Sequence, residues 1–281
     1  MTTYDVHQHL WPPDVVAVLR ARRSAPRLDG DVLELGEGRF PLDVAAHDLD
    51  GRLALLDRDG VDVAVVSLQP TLELEEAPEL ADAYHEGVAE LVARADGRLR
   101  AFAAGRCLPE FAGACVAAGT LVSGIGDLGA ELEHAGQALF VHPGPPRTPP
   151  PGAPAWWAPV VDYPAQLQAA YAAWIADGVE RHPGLPVVFA ALAGGSPVQV
   201  ERLHSRGVEP GDIQRRSIYF DTASYGRRAL ELCIGTYGAG QLVYGSDVPV
   251  IDPRLTLTGL EELGDEVLTA VRAANPARIF G

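Results

Sequence analysis

Residues 3–10 read TYDVHQHL, with two histidines separated by one residue at the end of a short apolar run, TYDVHQ (3–8). It is the first of eight such runs, and most are continuously apolar, which is typical of parallel strands covered on both faces. Segments with helical periodicity separate the runs, so the sequence predicts a single (β/α)8 TIM barrel of the α/β class over residues 1–281. The other seven predicted strands are DVAVVSL (62–68), LRAFAAG (99–105), TLVSGIG (120–126), ALFVHP (138–143), PVVFAA (186–191), SIYFDT (217–222) and QLVYGSD (241–247).

Two connections between predicted strands are too long to be simple turns. The first, residues 10–60, inserts a long segment between the first strand and the first barrel helix, and it holds a helical piece at 13–23. The second follows the fifth strand and reads PGPPRTPPPGAPAWWAPVVDYP (143–164), with too many prolines for a regular helix. This Pro-rich loop is predicted to be either a surface excursion or a rigid lid over an active site. The glycines of GIGDLG (124–129) are interpreted as a tight strand-to-helix turn rather than a dinucleotide site.

The charge balance excludes several classes of function. With 22 basic and 38 acidic residues the net charge is −16, which argues against binding nucleic acid or an anionic membrane by charge. All 22 basic residues are arginine, so mechanisms that need a lysine, such as a Schiff base or a carbamylated-lysine metal bridge, are excluded. The N-terminus lacks the features of a signal peptide, and the three cysteines lack metal-like spacing. We therefore expect a cytoplasmic protein.

Four residues of the types that bind metals stand at the C-terminal ends of predicted strands. His7 and His9 end the first strand, His142 ends the fifth, and Asp247 ends the eighth. Alternate residues of a strand project to the same side, and the eighth strand of a closed barrel lies beside the first. Three imidazoles and one carboxylate at a barrel mouth suit a divalent ion, and Zn²⁺ is the ion we expect. The alternative is that these are polar side chains that face solvent at the rim of the barrel and bind no metal.

Several motifs, taken in order, resemble the amidohydrolase superfamily, and within it the amidohydrolase-related group that includes aminocarboxymuconate-semialdehyde decarboxylase. The resemblance covers nearly the whole chain and implies a mononuclear metal site with His7, His9, His142 and Asp247 as ligands. One position departs from the group, which usually has an acid/base histidine in an AHxGG motif after the sixth strand, where this chain has Leu192. The motifs that carry the resemblance are YDVHQHLWP, LFVHPG, VVFAALAGGSP, YFDTASYG, LVYGSDVP and NPARIFG.

Leucine cannot move a proton, so acid–base catalysis has to rest on other groups. Asp247 is predicted to take the proton from metal-bound water, because a metal can lower the pKa of that water to about 7. Asp221, at the end of the seventh strand, is predicted to orient a ligand or the substrate. His47 lies in the long first connection and is a candidate to fold over the mouth.

Candidate substrate contacts each have a plainer alternative. Arg106 follows the third strand and could pair with a substrate carboxylate, or it could form an ion pair on the rim. Four aromatic residues could wall a pocket for a flat substrate, although large aromatics more often pack in a core. These aromatic residues are Trp11, Trp156, Trp157 and Tyr225.

These features predict an enzyme with a small-molecule substrate. The first hypothesis is a metal-dependent hydrolase of a lactone, amide or related carbonyl compound. The second is a metal-dependent, non-oxidative decarboxylase of an aromatic or unsaturated carboxylic acid. The third is a metal-binding barrel without hydrolytic activity. This hypothesis stands because Leu192 replaces the usual catalytic histidine. A homodimer is also left open.

Overall fold

The computed structural model describes residues 1–209, 211 and 215–281. Within this part of the chain, eight strands form one parallel sheet and three form a separate antiparallel sheet. The strands are β1 (Tyr4–His9), β2 (Arg27–Asp29), β3 (Val32–Leu35), β4 (Gly38–Pro41), β5 (Val63–Ser67), β6 (Leu99–Ala104), β7 (Gly113–Ala117), β8 (Ala138–His142), β9 (Val187–Phe189), β10 (Ile218–Asp221) and β11 (Leu242–Val243).

The eight parallel strands form a near-closed barrel. They follow the order β1-β5-β6-β7-β8-β9-β10-β11. The seam between the last strand and the first is joined by backbone hydrogen bonds: Val6 N–H donates to the Tyr244 carbonyl (2.8 Å), and His9 N–H donates to the Val248 carbonyl (2.7 Å). The predicted α/β barrel is therefore confirmed, while its organisation as one domain stays a prediction.

Helices and helical turns connect the strands. None of the described helices is long and apolar enough to cross a membrane. The α-helices are Pro13–Ala21, Leu49–Arg58, Pro78–Arg94, Ala118–Ser123, Leu128–Ala135, Tyr163–Ala173, Val179–Arg181, Val200–His204, Arg227–Tyr237, Arg254–Glu262, Asp265–Thr269 and Pro276–Phe280. Shorter 3₁₀ turns lie at Val44–His47, Pro70–Leu72, Ser196–Gln199 and Ala239–Gln241, and π-turns at Ala158–Asp162, Trp174–Gly178 and Ala270–Ala274.

The burial of the elements explains the apolar patterns in the sequence. Every residue of β5 is buried, as are all five residues of β8, because each strand is covered by the barrel interior and by outer helices. The outer helix Pro78–Arg94 instead buries one face, with Leu80, Tyr84, Val88 and Leu91 inward at helical spacing. The core therefore lies inside the barrel and between the barrel and its helices.

The fourth predicted strand, residues 120–126, is wrong. The fourth barrel strand is β7, and the residues that follow it form the helix Ala118–Ser123. β7 reads GACVA, and such small residues carry little of the β-branched signal that marks the other strands. A Cβ on Gly113 would lie 1.9 Å from the Ala138 carbonyl oxygen, so the close approach of β7 to β8 requires glycine. The turn at 124–129 consequently joins two helices, not a strand and a helix.

The long insertion contains the small antiparallel sheet, which the sequence did not predict. The helical piece is present as Pro13–Ala21, and β2, β3 and β4 follow it before the first barrel helix, Leu49–Arg58. These strands have only three or four residues each, too few to show a clear alternation of apolar and polar side chains.

Candidate metal centre

Four side chains converge where the first, fifth and eighth barrel strands end. His7, His9, His142 and Asp247 each offer one ligand atom, and these atoms all lie within 4.8 Å of one another. The His7 and His9 Nε2 atoms are 3.2 Å apart, and His9 Nε2 lies 3.1 Å from Asp247 Oδ1. The histidines are buried, whereas the Asp247 side chain is 18% exposed. The group therefore opens on the Asp247 side.

Each of the three histidine rings holds its Nδ1 against a hydrogen-bond acceptor. The pairs are His7 with the Asp221 carboxylate (2.8 Å), His9 with the Ser67 carbonyl (3.2 Å) and His142 with the Pro143 carbonyl (2.9 Å). An acceptor at Nδ1 requires the proton there, so the neutral ring keeps its lone pair on Nε2. Neighbouring acceptors of this kind fix the orientation of metal-binding histidines.

Burial and charge set the protonation of the cluster. Burial lowers the pKa of His9, and it lowers the pKa of His142 well below its usual value, so both rings are neutral. Burial also opposes a charge on His7, but the Asp221 and Asp247 carboxylates outweigh it and raise the pKa of His7 to about 9. Burial would raise the pKa of Asp247, but the neighbouring histidines outweigh it and lower that pKa. A cation that enters the cluster therefore has to displace a proton from His7.

The donor set fits a divalent metal ion. Three imidazole nitrogens and one carboxylate oxygen are ligands that zinc and similar transition metals accept. The orientation of the rings is already fixed by their Nδ1 partners, and the carboxylate balances part of the charge of an ion. These four residues therefore form a candidate metal site.

Asp221 lies directly behind this cluster. It is fully buried, and its Oδ2 accepts the His7 Nδ1–H. Its other oxygen accepts the backbone N–H groups of Ala191 (3.2 Å) and Ala223 (2.7 Å). This geometry favours the predicted role of Asp221, which is to orient a ligand.

Leu192 lies in an unusual turn after β9. The residues Ala191–Gly195 all have positive φ, between 46° and 82°, and left-handed backbone costs a residue with a Cβ about 1 kcal/mol or more. The hydrogen bond from Ala191 N–H to Asp221 holds the start of this turn, and Leu192 is 1% exposed within the hydrophobic core. The carboxylate that orients His7 therefore also positions the turn that carries leucine in place of the group's histidine.

His47 lies close to the cluster but does not join it. Its Nδ1 accepts the backbone N–H of Trp11 (3.1 Å), and the two rings stack with centroids 4.6 Å apart. Burial, then Arg52 and His9, lower the pKa of His47 to about 3. A ring that stays neutral is a poor proton carrier, so catalysis by His47 stays a prediction that the geometry disfavours.

The predicted substrate contacts are mostly engaged elsewhere. Arg106 is exposed and pairs with Asp82 at 3.0 Å, which is the rim ion pair named as its alternative. Trp11 is buried, and its indole N–H donates to Gln69 Oε1 at 2.6 Å, as expected of a packing residue.

The remaining aromatic candidates differ in their surroundings. Trp156 is 56% exposed and stacks on the half-buried Trp157 with ring centroids 6.3 Å apart. Tyr225 is half-buried, and burial followed by the Asp221 carboxylate raises its pKa.

The sequence did not single out a buried network beneath the two N-terminal histidines. The Arg52 guanidinium donates to Gln8 Oε1 (2.9 Å) and to the His9 carbonyl (3.0 Å). Gln8 in turn donates to Asp5 Oδ2 at 2.7 Å. The alternation of YDVHQH does place Asp5 beside His7 and His9, but nothing in the sequence indicates that Arg52 would be buried.

A parallel barrel with three histidines and an aspartate gathered at its strand ends defines a candidate metal-binding (β/α)8 barrel. The amidohydrolase family model matches residues 4–281, and the chain belongs to that family. It is 25% identical to the 2-amino-3-carboxymuconate-6-semialdehyde decarboxylase of Dictyostelium discoideum, in a match that covers 76% of this chain and 70% of the relative.

Solved structures share the fold over nearly the full length. The IDCase of Metarhizium anisopliae is 19% identical with a TM-score of 0.79, covering 99% of this chain and 97% of its own. The 5-carboxyvanillate decarboxylase of Sphingomonas paucimobilis is 18% identical with a TM-score of 0.75, covering 100% and 99%. A 2,6-dihydroxybenzoate decarboxylase from Rhizobium is 17% identical with a TM-score of 0.73, covering 100% and 98%.

The prediction of a hydrolase is wrong, because these relatives are decarboxylases. The ligands that would hold a metal to activate water would equally hold one beside a substrate carboxylate. The metal motif alone therefore could not separate the two reactions.

Proposed function

We propose that this chain is a metal-dependent, non-oxidative decarboxylase of a small aromatic or unsaturated carboxylic acid. The observation that carries the proposal is the cluster of His7, His9, His142 and Asp247, whose ligand atoms lie within 4.8 Å of one another. The decarboxylase relative at 25% identity supports this reaction over the alternatives.

The side chains of the cluster have different proposed roles in holding a metal and admitting a substrate. When bound, a divalent ion would neutralise substrate charge and polarise an oxygen of the substrate. His9 and His142 present uncharged nitrogens, His7 does so once it has lost its proton, and Asp221 holds the His7 ring in place. The partly exposed Asp247 faces the side from which a substrate can arrive.

Loss of CO₂ breaks one carbon–carbon bond, and the electron pair that remains on carbon must take up one proton. Leu192 cannot supply this proton, so the proton has to come from another group. Asp247 is ionised, because its pKa is lowered, and it is partly open to solvent, so we propose that it takes this proton from solvent and passes it to the carbon.

The metal is proposed to be Zn²⁺ or Mn²⁺. The nitrogen-rich donor set suits zinc. A dihydroxybenzoic acid decarboxylase from Polaromonas, 15% identical with a TM-score of 0.70 and covering 99% and 96%, is described with bound manganese. Elemental analysis of protein produced with both metals in the medium would decide between them.

The experiment measures CO₂ release from a panel of aromatic and unsaturated carboxylic acids, and ester or amide cleavage from matched lactones and amides. We expect CO₂ release from at least one acid, its loss on chelation and its recovery when the metal is restored. The His142→Ala variant should be inactive, while His204→Ala, on an exposed surface helix, should match the parent. Cleavage of a lactone or amide without CO₂ release from any acid would contradict the proposal.

A further inference from the structure

A cleft of about 720 Å³ lies between the first barrel helix, Leu49–Arg58, and the segment that follows Asp247. Its volume is in the range of sites that bind small molecules. It is lined by residues of the turn Val44–His47, of that helix and of the segment 248–257, but by none of the four proposed metal ligands. The cleft is therefore a separate candidate site, which we call the Arg52 cleft after the residue at its floor.

Arg52 is a buried charge that lacks a counter-ion. It lines the cleft and is only 1% exposed. Its Nη1 donates to Gln8 Oε1 (2.9 Å), and its Nη2 donates to the carbonyls of His9 (3.0 Å) and Ala46 (3.1 Å). These acceptors are all uncharged, and the guanidinium reaches the Asp5 carboxylate only through Gln8, which donates to Asp5 Oδ2 at 2.7 Å. Buried charges are ordinarily paired, so this guanidinium is suited to an anion that enters the cleft.

The guanidinium also has a donor to spare. All three nitrogens of arginine carry N–H groups, yet the Arg52 Nε–H donates to none of the residues that the structure describes. The unpaired polar atoms that are shut off from solvent in those residues belong to His47, Trp174, His182 and Arg272. The Arg52 Nε therefore keeps contact with solvent, and the cleft that the side chain borders is where a ligand can reach it.

The charged side chains that line the cleft leave one positive charge in excess. Arg58 pairs with Asp59 at 2.8 Å, and Arg254 pairs with Asp252, so two of the three lining arginines are neutralised by the two lining aspartates. The third, Arg52, has no such partner. This local excess stands out in a chain whose net charge is −16, and a ligand with a single negative charge would balance it.

We infer that the Arg52 cleft is a second binding site, which takes a small organic acid with one carboxylate and an apolar body. The carboxylate accepts the Arg52 Nε–H, a charge-assisted hydrogen bond that a neutral ligand cannot match. The apolar side chains that line the cleft and would contact the body are Leu55, Val248, Ile251 and Leu257. The inference does not depend on the proposed function, because no proposed metal ligand lines the cleft.

The test measures binding of cyclohexanecarboxylate by calorimetry, with the uncharged cyclohexanecarboxamide for comparison. Arg52→Met removes the charge at the floor, and Leu257→Trp fills the cleft while keeping Arg52. Arg254→Gln removes a charge from the wall of the cleft. Its control is Arg181→Gln, because Arg181 forms a similar surface ion pair with Asp177 and does not line the cleft. Melting curves verify that each variant is folded.

We expect the parent to bind the carboxylate with a dissociation constant of about 1 mM or lower, at least about tenfold more tightly than the carboxamide. Arg52→Met should lose this preference, and Leu257→Trp should lose carboxylate binding, which keeps the test decisive if Arg52→Met does not fold. Arg254→Gln should weaken binding about threefold, and Arg181→Gln should match the parent. Equal affinities of the parent for the two compounds, or unchanged carboxylate binding by folded Leu257→Trp, overturn the inference.

A comparison with His142→Ala separates the Arg52 cleft from the metal centre. This variant should bind the carboxylate like the parent, because His142 does not line the cleft. Loss of carboxylate binding in His142→Ala would place the acid at the metal centre and overturn the inference. Binding in the cleft of a protein that releases CO₂ from no acid would support the second site and refute the decarboxylase.

Discussion

Asp221 illustrates how one carboxylate outside a metal cluster can organise it. Its two oxygens hold the His7 ring, the start of the left-handed turn at Ala191 and the backbone of Ala223. Loss of a partner that orients a metal-binding histidine typically lowers metal affinity by about 10- to 100-fold. We expect Asp221→Asn to show a loss of that size in a titration against a fluorescent chelator.

The matched control for this prediction is Asp177→Asn, because Asp177 forms a surface ion pair with Arg181 at 2.7 Å, and both side chains are mostly exposed. It should bind metal like the parent. If Asp221→Asn also bound metal with the parent's affinity, Asp221 would not orient His7.

The charge on His7 predicts how metal binding depends on pH. Its pKa of about 9 means that the ring is protonated at neutral pH and becomes neutral as the pH rises through that value. Because the metal competes with this proton, affinity should rise by up to about tenfold per pH unit until pH 9 and then level off. Calorimetry in buffers of different ionisation enthalpy should report release of about one proton per ion at pH 7. A metal affinity that does not change between pH 7 and pH 9 would contradict this prediction.

The identity of the cluster residues was predictable, whereas their fixed orientation was not. The spacing of His7 and His9 and their place at the end of an apolar run predicted that both project into the mouth. The Ser67 and Pro143 carbonyls are backbone groups, so no residue type in the sequence marks them as partners. Arg52 is likewise one arginine among 22 until the fold brings it to the His9 carbonyl.

At the level of elements, recognition of a strand depended on the size of its side chains. β1, β5 and β8 contain valine, phenylalanine or tyrosine and were predicted within a residue or two of their bounds. β7 consists mainly of glycine and alanine, because its backbone lies tightly against β8. A close approach between strands thus removed the side chains that would have identified the strand.

The close approach of β7 to β8 predicts that one added methyl group at residue 113 strongly destabilises the fold. Gly113→Ala places a Cβ 1.9 Å from the Ala138 carbonyl oxygen, so the β7–β8 pairing has to shift. We expect the free energy of unfolding to fall by roughly 3 kcal/mol, as in strongly overpacked cores, when measured by urea denaturation. Gly119→Ala is the control, because a Cβ there has no atom within 4 Å and the residue lies in the helix Ala118–Ser123. Equal stabilities of the two variants would contradict the argument.

At the scale of the whole molecule, the metal cluster joins the two ends of the chain. His7 belongs to the first barrel strand, and Asp247 follows the last, whose ladder has only two residues. The backbone N–H of Asp247 donates to the His7 carbonyl at 2.8 Å, directly across the seam of the barrel. An ion held by side chains from both sides would therefore strengthen the closure of the barrel as well as form the site.

Metal should accordingly stabilise the entire fold. An ion that binds the folded barrel and not the unfolded chain adds about 2.7 kcal/mol at a concentration 100 times its dissociation constant. We expect the melting temperature to rise on addition of Zn²⁺ or Mn²⁺ and to fall back with a chelator, as measured by calorimetry. His142→Ala should lose most of this rise, because it removes a nitrogen ligand from the strand opposite the seam, and His204→Ala should keep it. A metal-dependent rise of unchanged size in His142→Ala would show that His142 is not a ligand.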